Sequence, residues 1–255
     1  MDYINNFIQS DLTLYQFIAI ALIFIWSGFV RSGLGFGGAA LALPLLLHVH
    51  DKPLVFLPIV GIHLLVFTTF TLIGRMHNVD WKNLWKVLLI IIIPKIAGLI
   101  GLLSLPNTWL VILVFCITLF YGATWLFNYT IRSQSKTVDV ILLSIGGYVS
   151  GTSLIGAPLM VAVIARYVSK IQLRDTLFVL WIVLVLLKMG AFIAVDVDLQ
   201  WQFSLVLIPF VAIGHVIGLR AHEYIVSSDG GLFHRVLGGA LVTVSLVGLF
   251  KYFSS

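Results

Sequence analysis

Residues 27–38 read Ser27-Gly28-Phe29-Val30-Arg31-Ser32-Gly33-Leu34-Gly35-Phe36-Gly37-Gly38, with apolar runs on both sides. Five glycines within eleven residues are costly in an ordinary helix interior, at about 1 kcal/mol each relative to alanine. Where a chain turns back inside a membrane, the same glycines form a tight helix-to-helix turn, expose backbone N–H groups to a ligand and let helices approach closely. A helix that starts at such a turn points unpaired N–H groups and a positive dipole end into the interior, which favours an anion. The bland alternative is that the glycines only pack helices. No Lys-Ser/Thr ending makes the run a nucleotide-binding loop.

The rest of the chain supplies the membrane. Of 255 residues, 60% are hydrophobic and 10% charged, far from the balance of a soluble domain. Apolar blocks at 12–30, 54–73, 87–103, 109–127, 176–195, 203–219 and 235–250 approach or reach the length of about 20 residues that crosses a bilayer. Shorter blocks lie at 34–48, 140–150 and 154–168. Trp81, Trp85, Trp109, Tyr129, Tyr167, Trp201 and Tyr252 stand near block ends, where interfacial aromatics anchor a span. A multi-pass protein of the plasma membrane follows, with residues 1–255 as one transmembrane domain. The first segment lacks the positive n-region of a cleavable signal and is expected to be retained. The single Cys116 excludes a disulfide within one chain. The formal charge of +5 is not a nucleic-acid signal, since no loop combines a dense basic patch with aromatic platforms.

A weak internal repeat accompanies the glycine run. Aligning Gly28 with Gly147 pairs Phe29 with Tyr148, Val30 with Val149, Gly37 with Gly156 and Gly38 with Ala157, and Pro44 and Pro158 follow. Loop charge tests how these segments sit. If 12–48 and 140–168 each cross once, the basic residues divide almost evenly and no orientation is favoured. If each is a hairpin, Arg75, Lys82, Lys86, Arg132, Lys136, Arg166, Lys170, Arg174, Arg220 and Arg235 share one face against Lys52 and Lys251. That is the asymmetry the positive-inside rule expects. The predicted fold is therefore an all-alpha polytopic membrane protein of two inverted-topology repeats, 12–128 and 140–252. Each is a glycine-rich broken or re-entrant hairpin plus three transmembrane helices, an architecture of secondary transporters with a midplane site. Each short hairpin arm holds only about 11 to 15 apolar residues, about 16 to 22 Å of helix.

Candidate site residues fall in both turns and in the spans. Arg31, Ser32, Gly33, Gly35 and Gly37 belong to the first turn. Ser150, Thr152, Ser153 and Gly156 belong to the second, where hydroxyls add donors or serve only as helix caps. Lys95 and Lys188 lie within long apolar spans with no acidic residue three or four positions away. A cation at that depth costs about 3 kcal/mol and faces a cavity or a partner unless it snorkels to the interface. An anionic substrate would supply the missing charge. His63, within a span, is either a proton-coupling group or a packed neutral ring, and His215 invites the same two readings. No HxxxH or HExxH pair offers metal ligands. Pro94 and Pro209, each followed by glycines, suggest related kinked spans.

These residues resemble the TauE/SafE sulfite exporter family over about residues 14–250. The matching positions are Gly28, Gly33, Gly35, Gly37, Gly38 and Pro44, then Gly147, Gly151, Gly156, Ala157 and Pro158, with the basic stretch from Lys170 to Arg174 after them. Phe36 interrupts the first glycine run, and Thr152, Ser153 and Leu154 occupy the second turn, departures that bear on substrate. The resemblance implies transport of sulfite, organosulfonates or related small sulfur-containing anions.

The sequence therefore points to a secondary transporter of a small anion. It implies no cofactor and carries no ATP-binding motif. The expected partners are the anionic substrate, membrane lipid, a coupling proton or sodium ion and a second copy in a homodimer. An anion channel with the same site differs by large unsaturable currents. A membrane enzyme would need a nucleophile and base, or clustered carboxylates, near the midplane.

Overall fold

The computed structural model describes residues 12–34, 38–129, 131–227 and 231–254. Among them are ten α-helices and no strand: α1 (Leu14–Leu34), α2 (Gly38–Val49), α3 (Pro53–Leu72), α4 (Trp81–Ser104), α5 (Asn107–Leu126), α6 (Lys136–Ser153), α7 (Ala157–Tyr167), α8 (Lys170–Ala194), α9 (Trp201–Ser227) and α10 (Gly231–Phe253). Seven of them, α1, α3, α4, α5, α8, α9 and α10, are long and apolar enough to cross a membrane. Large side chains such as Leu89, Ile93, Ile100 and Phe250 lie exposed along them, a surface suited to lipid rather than water.

The arms on either side of each turn are unequal in length. α2 has 12 residues and α7 has 11, giving about 18 and 16 Å at 1.5 Å per residue, roughly half the hydrocarbon thickness. α1 has 21 residues and α6 has 18. The glycine-rich stretch continues α1 as helix through Leu34, because an unbroken helix keeps its N–H and C=O groups paired where water is absent. The second turn likewise falls later than the hydroxyl cluster: α6 runs through Ser153, and Leu154 turns the chain with φ +62°.

Both short helices come back to the side their partners start from. Gln16 Nε2 at the start of α1 donates to the Val49 carbonyl at the end of α2, 3.3 Å. Asn107 and Tyr252 both bond Asp51 on that face, at 2.6 and 3.0 Å. On the opposite face Arg166, at the end of α7, pairs with Asp139 at the start of α6, 3.2 Å. There Arg75 pairs with the buried Asp175 at 3.1 Å, and Thr176 accepts the Asp80 N–H at 3.0 Å. The Asn83 N–H bonds the Asp80 carboxylate and holds it below its ordinary pKa. This second face, with Arg75, Arg166 and Arg174, is the basic one.

The helices pack in crossed pairs: α1 lies along α9, α4 along α6, α5 along α10 and α3 against α8. Glycine permits the two closest approaches. A Cβ on Gly214 or Gly218 would strike the carbonyl of Ile25 or Phe29, respectively. Later residues of α9 thus meet later residues of α1, and the two helices run parallel. On the other side Gly147 meets the Ile91 carbonyl and Gly151 meets that of Lys95, so α4 and α6 are parallel too, and Gly98 in turn meets the Tyr148 carbonyl. Two buried apolar clusters, one around Phe24, Leu43, Ile59 and Phe192 and the other around Leu88, Ile91, Met160 and Leu180, fill the space between the pairs.

Candidate functional site

Both half-length helices begin at one small central cavity. Ser27, Arg31, Gly38, Ala39, Val60, Leu64, Ser150, Leu154, Ala157, Trp181, Leu184 and Val185 line it, and its volume is about 40 Å³. A single water needs about 10 to 15 Å³ on such a measure, so the space admits a small polyatomic ion. Gly38 opens α2 and Ala157 opens α7. Each brings free N–H groups and a positive dipole end. Gly156, at the start of α7, lies so close to the Gly146 carbonyl that no Cβ would fit.

Three buried cations stand on the helices around this space: Arg31 lines the cavity, and Lys95 and Lys188 lie outside its lining. Arg31 is 7% exposed. Its guanidinium lies 5.1 Å from the centre of the Phe67 ring, and Nη2 has no hydrogen-bond partner among the described residues. Lys95 is fully buried and donates to both the carbonyl and the hydroxyl of Ser150, each at 3.0 Å. Lys188 is also fully buried, and its Nζ has no hydrogen-bond partner among the described residues. The Phe192 ring lies 5.9 Å away. Trp181, Leu184, Val185 and Lys188 recur at the spacing of one helix face, which puts Lys188 on the side of α8 that walls the cavity. Neither lysine snorkels to an interface. The acids with described side chains, Asp51, Asp80, Asp139, Asp175, Asp196 and Asp198, stand in loops or near helix ends.

Two histidines complete the surroundings. His63 Nε2 faces the Ser204 carbonyl at 2.8 Å and so carries the proton of the bond. Its Nδ1, buried and without a partner among the described residues, remains an acceptor when the ring is neutral. His215 Nδ1 is hydrogen-bonded to Ser32 Oγ at 2.5 Å, and its ring packs on Phe67 with centroids 5.0 Å apart.

The predicted residues separate into two groups. Arg31 and Ser150 line the cavity, Lys95 grips Ser150 from behind, and Gly156 fixes the start of α7. Ser32 is turned toward His215, and the Gly33 carbonyl accepts a bond from His222 Nδ1 at 2.7 Å, so both face α9. The hydroxyls of Thr152 and Ser153 bond back to the Val149 carbonyl at 3.0 Å, and α7 has no side-chain cap. Gly35 and Gly37 lie outside the described residues. Trp181 and Phe67 were not anticipated. For Trp181 a signal existed, since it stands seven residues before Lys188.

A family model described as sulfite exporter TauE/SafE matches residues 20–248. Neither a curated protein nor a solved structure matches the chain.

Proposed function

We propose, from the premise that this chain belongs to the sulfite exporter TauE/SafE family, that it is a secondary transporter binding a small sulfur-containing oxyanion in the central cavity. The family is one of multi-pass membrane transporters. The observation that carries the reading is Lys188, fully buried and without a hydrogen-bond partner among the described residues. An isolated buried charge costs several kcal/mol, and no carboxylate described near the cavity offsets it. A bound oxyanion would, assisted by Arg31, the Ser150 hydroxyl and the first turns of α2 and α7.

Inverted repeats are supported by the crossed pairing. α1 lies along the fourth helix of the second half, and α6 lies along the fourth helix of the first. Matching the close approaches, Gly98 on Tyr148 with Gly218 on Phe29, makes Lys95 the counterpart of His215. The helices that carry Pro94 and Pro209, α4 and α9, are then counterparts, with the two prolines at different positions along them. The small enclosed cavity favours a carrier over a channel, and His63 is the candidate for proton coupling.

The test is flux of sulfite, organosulfonates and carboxylates in proteoliposomes. Lys188→Met should weaken saturation at least tenfold, equal to about 1.4 kcal/mol, while raising the thermal midpoint of the ligand-free protein, because the unpaired charge is gone. No flux of any of these anions at either polarity of a proton gradient, or a Lys188→Met variant with unaltered saturation, rules the reading out.

A further inference from the structure

A much larger cleft lies on the basic face, with a volume of about 510 Å³, bounded by the end of α5, the chain after it and one side of α7. Arg132 and Arg166 line it, together with Asn128 and Tyr129, and Pro158 and Ala162 form its α7 wall. No acidic residue is among its lining. Asp139, behind it, pairs with Arg166 at 3.2 Å and also accepts bonds from Ser133 and Tyr167. Arg132 has no ion-pair partner among the described residues, so the cleft keeps a net positive charge.

Its position relative to the central cavity is what gives it a role. Ala157 lines the cavity and Pro158 lines the cleft. Adjacent residues of one helical turn therefore face the two spaces, and the first turn of α7 is the wall between them. Proline at this turn contributes no N–H to the helix ladder, and the cleft side of the helix continues in the small residues Ala162 and Ala165.

We propose that this cleft is a second anion site, an antechamber in which Arg132 and Arg166 collect the oxyanion from the basic face before it passes the first turn of α7. The inference rests on the transport reading above. A cleft of one charge sign with low-dielectric walls concentrates an oppositely charged ligand and speeds its arrival by about 10-fold to 1,000-fold at low salt. The same chemistry would suit the headgroup of a lipid with net negative charge, and the experiment separates the two, since phosphatidylcholine carries none.

Sulfite transport is measured in inside-out and right-side-out membrane vesicles carrying the full chain, and again in proteoliposomes made of phosphatidylcholine alone. Arg132→Gln should raise KM about tenfold from the basic face only, flatten the ionic-strength dependence from that face and leave KM from the opposite face as it was; Arg132→Lys should restore most of the loss. Lys188→Met should impair transport from both faces. An Arg132→Gln effect equal from both faces, or absent from both, overturns the antechamber and leaves the central site standing. An effect that disappears in phosphatidylcholine assigns the cleft to a lipid headgroup and also overturns it. Lys188→Met without effect from either face would instead remove the central-site reading.

Discussion

The α1–α2 hairpin and the α6–α7 hairpin meet at one cavity but are held there differently. The first carries its own cation, Arg31, which stacks on Phe67. In the second the equivalent position is Ser150, and the cation arrives from a neighbouring helix as Lys95. At their feet the contrast continues: Gln16 and Val49 join the first hairpin with a neutral bond, whereas Asp139, Arg166 and Tyr167 close the second with an ionic cluster. Their flanks differ as well. α2 is sealed against α10 by His48, and the corresponding side of α7 borders the open cleft. One hairpin is thus fixed along its return arm. The other is fixed at its turn and foot, and open along its side.

The largest effect should come from breaking the borrowed cation. Lys95→Met removes two charge-assisted bonds to Ser150, each worth about 1.5 to 3 kcal/mol, so both the cavity charge and the hold on the second turn are lost. Flux should fall at least 100-fold, equivalent to about 2.7 kcal/mol. Arg31→Met removes a stacked charge whose Nη2 holds nothing among the described residues, and about a tenfold loss is expected. Equal losses in the two variants would show that the hairpins do not differ in this way.

This contrast also marks where the sequence is legible. Apolar block length, glycine spacing and loop charge were sufficient for seven spans, two turns and the buried cations, because each is a local pattern or a sum over loops. Which hydroxyl faces the cavity is a different matter. Ser150, Thr152 and Ser153 look alike in sequence, and their roles depend on the helix continuing one turn further, through Ser153. That last stretch of α6 packs against α4 where Gly98 and Gly151 approach closely, a pairing that no local window contains. The buried Asp175, with Arg75, Asn78 and Arg174 around it, was hidden for the same reason. Its basic partners read as topology charges alone.

The feet of the hairpins give a smaller effect. Asp139→Asn keeps the shape but removes the charge that holds Arg166, and it should cost about 2 kcal/mol, in the range for hydrogen bonds to charged groups. Gln16→Ala loses one neutral bond on the other face, worth about 1 kcal/mol or less. Thermal unfolding of both variants in the same detergent measures the difference. A larger drop for Gln16→Ala would invert the proposed order of the two feet.

The smallest effect tests the flanks. His48 Nε2 faces the Val244 carbonyl at 2.8 Å and therefore donates to it, and the ring packs 5.2 Å from Phe115. This seals α2 where α7 is left open. Amide hydrogen exchange should accordingly be faster in α7 than in α2 in the unaltered protein, because an open flank lowers the cost of local opening. His48→Ala should lose about 1 kcal/mol with the bond and speed exchange in α2 about fivefold, leaving α7 as it was. If exchange in α2 does not change, the seal lies in the apolar packing of α2 on α5 and α10, and the histidine only accompanies it.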